Sequence, residues 1–199
     1  MVAVPAEIRI YFEGDKRLEP GFKAFLRELR NRANEKGCRL RPIPAKSGDQ
    51  ACQDFNDALQ THSSAWNILL IDSEGPLDAV RVAALCKAFG WRKPVSRSIF
   101  WMVEMMEAWL HADKDALATF YGRGFKRNAL SADRNVESIS KRRLEEGLRA
   151  ATKNSEKGDY FRNKTLHGPQ LLALINPTLV RQAAPNCNRL FQAILAHLN

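Results

Sequence analysis

Strand and helix signals alternate through the first half of the chain and then the strand signals stop, a pattern that excludes most fold classes. Ile8, Ile10 and Phe12 recur at period two, as in a strand with one buried face. Phe22, Phe25, Leu26 and Leu29 then line one face of a helix that ends near Gly37. Residues 38–43 read as a second strand stopped by Pro44, and residues 47–62, with Phe55 and Leu59 four apart, as a helix. Residues 67–71 form a short continuous apolar run, expected of a strand covered on both faces. Residues 77–89 are a further helix and 98–103 a fourth strand. After Glu104 the pattern is helical: 105–121 with a break near Asp113, 140–152, and amphipathic stripes at Leu171, Leu172 and Ile175, at Leu179 and Val180, and at Leu190, Phe191, Ile194 and Leu195. Asn176-Pro177 has the form of a helix cap followed by proline at the first helical position.

Strands that alternate with helices imply right-handed crossovers and parallel pairing. The expected fold is therefore α/β, a mainly parallel four-stranded sheet with flanking helices and a helical C-terminal half packed on it. A length of 199 residues suits one compact domain, with the α/β core in 1–112 and a helical extension in 113–199.

Composition narrows the setting. Cys38, Cys52, Cys86 and Cys187 are scattered, without a C-x-x-C pair or histidines at zinc-finger spacing, which argues against structural zinc and a disulfide framework. Met1-Val2-Ala3-Val4-Pro5 lacks the charged and apolar regions of a signal peptide, and no run approaches the roughly 20 apolar residues of a membrane span. A reduced, soluble, cytoplasmic protein is expected. Lys and Arg outnumber Asp and Glu by 31 to 22, for a formal charge of +9. Such a balance bears on partners and favours nucleic acid, with an acidic protein surface or plain solubility as the alternative.

Against that positive background, two acidic motifs follow strands: Glu13-Gly14 after the first and Asp72-Ser73-Glu74-Gly75 after the third. Ligands bind at the carboxyl ends of strands in an open parallel sheet. Asp72 and Glu74 point the same way in an extended chain, with Ser73 opposite. If the two strands are neighbours, about 4.8 Å apart, Glu13 faces that pair across a gap fit for one metal. Mg²⁺ takes hard oxygen ligands at about 2.1 Å and keeps several waters, so a few carboxylates and substrate phosphates suffice. Ordinary turn chemistry at two strand ends is the alternative reading, since both glycines permit a sharp turn.

Glu13-Gly14 after a strand, with an Asp-x-acid pair after a later one, resembles the TOPRIM domain of topoisomerases, primases and overcoming-lysogenization-type nucleases. Met102-Val103-Glu104-Met105-Met106-Glu107-Ala108-Trp109-Leu110 extends the resemblance, as does Lys157-Gly158-Asp159-Tyr160 followed by His167 and Leu171-Leu172. Together they resemble, over nearly the whole chain, a family of small stand-alone TOPRIM-like proteins known as a domain of unknown function. The resemblance implies a compact TOPRIM fold that binds Mg²⁺, with Mn²⁺ as substitute, and cuts or rejoins phosphodiester bonds. It also implies an AAA- or ABC-type ATPase partner encoded alongside in prokaryotic defence loci. Two departures stand out. Glu74 occupies a position where the pattern usually has aspartate, and the acid after Glu13-Gly14 is either Asp15 or the later Glu19.

Glu104 and Glu107 lie three apart in an almost wholly apolar stretch, and on a helix they would share a face. A carboxylate in such surroundings is either ion-paired with the helical half or binding something. The resemblance falls on Glu107 and makes it a further metal or water ligand. It likewise gives His167, otherwise a lone structural histidine, a catalytic or phosphate-contacting role. Either His167 or Lys164 would offset charge in a phosphoryl-transfer transition state. Between Arg123 and Lys164, 12 Lys or Arg stand against 6 Asp or Glu, which makes Arg142, Arg149, Lys153, Lys157 and Lys164 the expected contacts to a nucleic-acid backbone. Lys141 with Glu145 and Arg142 with Glu146 are equally the i,i+4 pairs of a solvated helix. Phe125, Tyr160 and Phe161 interleave with the charge as stacking or core residues, whereas Trp101 and Trp109 read as core. The expected activity is a Mg-dependent nuclease, an effector of antiviral defence. The alternative is a non-catalytic module that docks an ATPase and senses nucleic acid.

Overall fold

The computed structural model describes residues 4–199, apart from the side chains of residues 93 and 94. The first three residues, on which the expectation of no signal peptide partly rests, lie outside the described residues. Strands β1 (Glu7–Glu13), β2 (Arg39–Ala45), β3 (Trp66–Asp72) and β4 (Ile99–Met102) form one sheet in the order β2-β1-β3-β4, all parallel. Helices α1 (Glu19–Phe25) and α2 (Arg27–Glu35) follow β1, and α3 (Gly48–Thr61) follows β2. Next come α4 (Ala79–Ala88) and the single turn α5 (Lys93–Ser96), between β3 and β4. The remainder is helical: α6 (Glu107–Ala112), α7 (Lys114–Tyr121), α8 (Lys141–Thr152), α9 (Lys164–Leu174), α10 (Pro177–Ala183) and α11 (Pro185–Leu198).

The side-chain alternation of the strands sorts the helices into two layers. Ile8, Ile10, Phe12, Ile68, Leu70, Phe100 and Met102 share one core with Phe22, Phe25, Leu29, Trp109, Leu171, Leu172 and Phe191. Tyr11, Leu69, Ile71, Ile99 and Trp101 face the other way, onto Ala51, Cys52, Phe55 and Ala58 of α3. β3 is covered on both faces, which is why its sequence is a continuous apolar run. Trp109 lies stacked on Phe25 at 5.1 Å between ring centroids, in the core as expected.

Two local departures, and one break that the sequence predicts, have physical reasons. β2 runs through Pro42 and Pro44, where the sequence suggested a stop. Arg39 N–H donates to Ala6 O and Gly14 N–H to Ala45 O, so odd-numbered residues of β2 turn toward β1 and even-numbered ones outward. Both prolines therefore sit on the open edge, where a missing N–H costs no ladder bond and discourages pairing with another chain. The helix expected after β1 is two helices, because Leu26 (φ −90°, ψ 14°) leaves the helical region. Leu26 itself stays buried, so the break re-aims the apolar stripe without ending it. Near Asp113 the break is a double cap: the carboxylate accepts from Ala116 N–H at 3.0 Å and from Asn176 N–H at 2.8 Å, fixing the starts of α7 and α10 together. Asn176 caps Pro177 at the first turn of α10, as read from the sequence.

α9 crosses α1 at Gly21, where an added Cβ would stand 2.7 Å from Pro169 O. This close approach brings the N-terminus of α9, with Lys164, over the carboxyl edge of the sheet. Among the described residues, no helix is long and apolar enough to cross a membrane.

Candidate metal centre

β1 and β3 are direct neighbours, with Ile8 opposite Trp66 and Phe12 opposite Leu70, so both strands end at the same edge of the sheet. There Glu13, Asp72 and Glu74 each bring a carboxylate oxygen within 4.8 Å of the others. Glu13 Oε2 accepts from Asp72 N–H at 3.4 Å and reaches back over the first turn of α3. That approach needs a glycine: a Cβ on Gly48 would stand 2.9 Å from Glu13 Oε2. Asp72 Oδ1 accepts from Met106 N–H at 2.9 Å. Ser73 points the opposite way, as strand alternation requires, and is buried: its Oγ accepts from Glu104 N–H at 2.8 Å and donates to Gly75 O. Glu74, in the left-handed region at φ 55°, is ion-paired with Lys141.

Glu104 and Glu107 do not share a helix face. Glu104 lies before α6 at φ 64°, and its buried carboxylate accepts from Lys141 N–H at 2.8 Å, capping the first turn of α8. For Glu104 the basic partner expected from the helical half is replaced by a backbone amide, whereas Glu107 has the expected ion pair, with Lys164. Glu107, wholly buried in the first turn of α6, accepts from Tyr160 O–H at 2.8 Å and pairs with Lys164 Nζ at 2.7 Å, both through Oε1. Its Oε2 is buried without a hydrogen-bond partner.

A cavity of about 230 Å³ opens beside these groups. Glu13, Asp72 and Glu107 line it on one side, and Arg17, Lys46 and Lys164 supply cations around it. Burial drives the Asp72 carboxyl well above its ordinary value, and the charges of Glu107, Glu13 and Glu74 push the same way against Lys164. Burial also raises Glu13, opposed by the amide of Asp72. Carboxylates this crowded, one with an unpartnered buried oxygen, are a donor set of hard oxygens short of positive charge. They fit a divalent cation of the Mg²⁺ kind.

The remaining expected site residues scatter. His167 is buried against Phe120 and Tyr121, with Nδ1 3.2 Å from Tyr121 Oη, and is not among the residues that line the cavity. Burial lowers its pKa, with the nearby Lys157 charge adding to the effect. Lys157 Nζ sits over the Phe120 ring at 4.1 Å, and the Arg149 guanidinium over Phe161 at 4.9 Å. Arg142 pairs with Glu146 at 3.0 Å as expected, but Lys141 reaches Glu74 and not Glu145. Arg142 and Arg149 on α8, and Lys153 at its C-cap, are all exposed, at positions that recur on one helix face. Tyr160 is core and a hydrogen-bond donor to Glu107, which removes it as a stacking platform. Sequence reasoning missed Arg17, Lys46 and Lys141. Lys46 follows β2 at the same sheet edge as Glu13, so the strand-end rule that found the acids would also have found it. Of the two acids after Glu13-Gly14, Asp15 lines the cavity in a two-pronged pair with Arg17, and Glu19 pairs with Lys23.

An all-parallel sheet of this order, with glutamate ending the first strand and Asp-x-Glu the third, defines a TOPRIM-like α/β protein. The sequence profile of the family described as Domain of unknown function (DUF4276) matches residues 16–195, and the chain belongs to that family. Among solved structures, the C-terminal region of the Burkholderia pseudomallei OLD protein is similar, with a TM-score of 0.59 at 14% sequence identity, covering 98% of this chain and 99% of that one. No curated protein matches.

Proposed function

We propose that this protein is a divalent-cation-dependent nuclease of the TOPRIM type, acting on phosphodiester bonds of nucleic acid. One observation carries the reading: Glu13, Asp72 and Glu74 converge within 4.8 Å beside a cavity ringed by Arg17, Lys46 and Lys164. Glu13, Asp72 and Glu74 would hold Mg²⁺ or Mn²⁺, with Glu107 assisting through its unpartnered oxygen. When bound, such an ion supplies an activated water and neutralises charge on the leaving oxygen. The chain supplies the rest. Tyr160 and Lys164 hold Glu107 in place, and Lys164, at the cavity wall, is placed to offset charge on the transferred phosphoryl group. Arg142 and Arg149 on the exposed face of α8, with Lys153 at its C-cap, would follow the substrate backbone. His167 has a packing role in this reading.

The fold shared with the OLD region supports the class of activity, and the family resemblance supports an AAA- or ABC-type ATPase partner and a role in prokaryotic defence. Four unpaired cysteines suit the cytoplasm. The test is Mn²⁺-dependent cleavage of plasmid DNA, single-stranded DNA and tRNA by wild type and Asp72→Ala. Activity confined to wild type is expected, and equal activity in both removes the assignment. A non-catalytic module that docks an ATPase is favoured by a different observation: lysines already pair with two of the four carboxylates. That reading requires no Mn²⁺ binding at millimolar metal in a calorimetric titration.

A further inference from the structure

Glu74 and Glu104 are the only non-glycine residues at positive φ among the described residues, and both end on the same partner. Their backbones are zipped together, Glu74 N–H donating to Glu104 O at 3.1 Å and Glu104 N–H to Ser73 Oγ at 2.8 Å. From that paired, strained segment, the Glu104 carboxylate takes the Lys141 amide and the Glu74 carboxylate takes the Lys141 ammonium. Strain of this kind persists where surrounding contacts over-determine it, and it concentrates at functional sites. The two contacts differ in kind. The first is made by a buried glutamate and ties down the start of α8, the basic helix. The second is open to solvent: the side chains of Lys141 and Glu74 are 36% and 52% exposed, a pair that exchanges easily.

Of four carboxylates, Glu13, Asp72, Glu74 and Glu107, two are paired with ammonium groups, Lys141 on Glu74 and Lys164 on Glu107. Lys141 thus occupies a would-be ligand with a positive charge that repels an incoming divalent ion, and it does so from the first turn of the helix proposed to contact phosphate. We propose that Lys141 is an exchangeable counter-cation. It holds Glu74 while the site lacks substrate and passes to a backbone phosphate when nucleic acid lies along α8, so that nucleic acid and metal bind cooperatively. This rests on the metal-site reading above. The Glu104 contact uses the backbone amide and survives any change of side chain, so the helix start stays in place while the ammonium moves.

Calorimetric titration of Mn²⁺ into wild type, Lys141→Met and Lys141→Arg, with and without a phosphorothioate single-stranded DNA oligonucleotide, tests the proposal. Lys141→Met should bind Mn²⁺ more tightly than wild type by at least about fivefold, the low end of ordinary coupling between sites. The oligonucleotide should tighten Mn²⁺ binding to wild type and leave Lys141→Met unchanged. Lys141→Arg, which keeps the charge, should behave as wild type. A lysine that merely props Glu74 in place predicts the opposite sign, so equal or weaker Mn²⁺ binding by Lys141→Met overturns the proposal. Absence of Mn²⁺ binding by wild type instead overturns the metal-site reading on which it stands. Lys141→Gln, checked with Lys141→Met for a wild-type circular-dichroism melt, provides a second uncharged variant.

Discussion

Asp72→Asn should make the metal-free protein more stable. Asp72 sits between Glu13 and Glu74, all three offering oxygens within 4.8 Å of one another, and it also feels Glu107. Two unit charges at that limit repel by about 3.5 kcal/mol at an effective dielectric near 20. Besides burial, Glu107, Glu13 and Glu74 repel Asp72 while Lys164 and Lys141 attract it, which leaves on the order of one such repulsion uncompensated. Glu74 is half exposed, so solvent screens part of this, and about 1–3 kcal/mol remains. An asparagine keeps the oxygen that accepts from Met106 N–H, so that hydrogen bond survives while the charge is lost and the other oxygen becomes an NH₂ donor. For a chain of this size the expected rise in Tm is about 2–12 °C in chelator.

The assay is thermal denaturation followed by circular dichroism, in chelator and in saturating MnCl₂. Wild type should gain about 2.7 kcal/mol at a hundredfold excess of ion over Kd, and Asp72→Asn much less. The pH dependence has a definite sign. The native carboxyl holds its proton above the ordinary aspartate value of 3.8 while the unfolded chain releases it. Wild-type stability relative to Asp72→Asn is therefore fully present below 3.8 and lost as pH rises through the raised native value. The advantage of the substitution should vanish near pH 4 and grow as pH rises through the raised native value. A Tm in chelator at or below wild type, at neutral pH, would refute the claim that these carboxylates repel one another in the folded state.

Tyr160→Phe leaves Glu107 with Lys164 alone and should cost about 1.5–3 kcal/mol, the worth of a hydrogen bond to a charged group; urea denaturation measures it, and an unchanged midpoint would show the hydroxyl to be unbound. Gly48→Ala places a methyl group against Glu13 Oε2, and Mn²⁺ affinity should fall about tenfold or more, as for other residues that orient metal ligands, with a near-wild-type Tm. Arg149→Gln with Lys153→Gln should flatten the salt dependence of single-stranded DNA binding by about 0.7 in log–log slope per lost phosphate contact. An unchanged slope would remove α8 from the substrate path.

The sheet was legible because its signals are local. Period two at Ile8, Ile10 and Phe12 and the apolar run before Asp72 needed only near neighbours to be read, and parallel pairing followed from the helices between the strands. Glu13 and Asp72 could be placed at one edge as soon as β1 and β3 were neighbours, although the sequence left that adjacency conditional. Errors arose where the third dimension decides. Pro42 and Pro44 end a central strand but not an edge strand, and nothing local says that β2 is an edge. The pairings of Glu107 with Tyr160 and Lys164, and of Glu74 with Lys141, span 53 residues or more. They depend on where the helical half returns, which no periodicity encodes. His167 carried a family signal, yet it lies in a pocket of Phe120 and Tyr121 that only packing creates.

That long-range return explains why the two lysines that pair with site carboxylates come from the helical half. The sheet edge alone gathers Glu13, Asp72 and Glu74, with Glu107 one turn beyond, and charges so placed repel. The compensating ammonium groups come from the first residues of α8 and α9, each bound to one carboxylate. Each lysine is also set on an element that a buried contact fixes: α8 by the Glu104 cap, and α9 by its crossing over Gly21. The helical half thus neutralises an edge that would otherwise oppose its own folding. On the proposal above, a divalent ion would take the place of the Lys141 ammonium at Glu74 as that ammonium passes to a backbone phosphate.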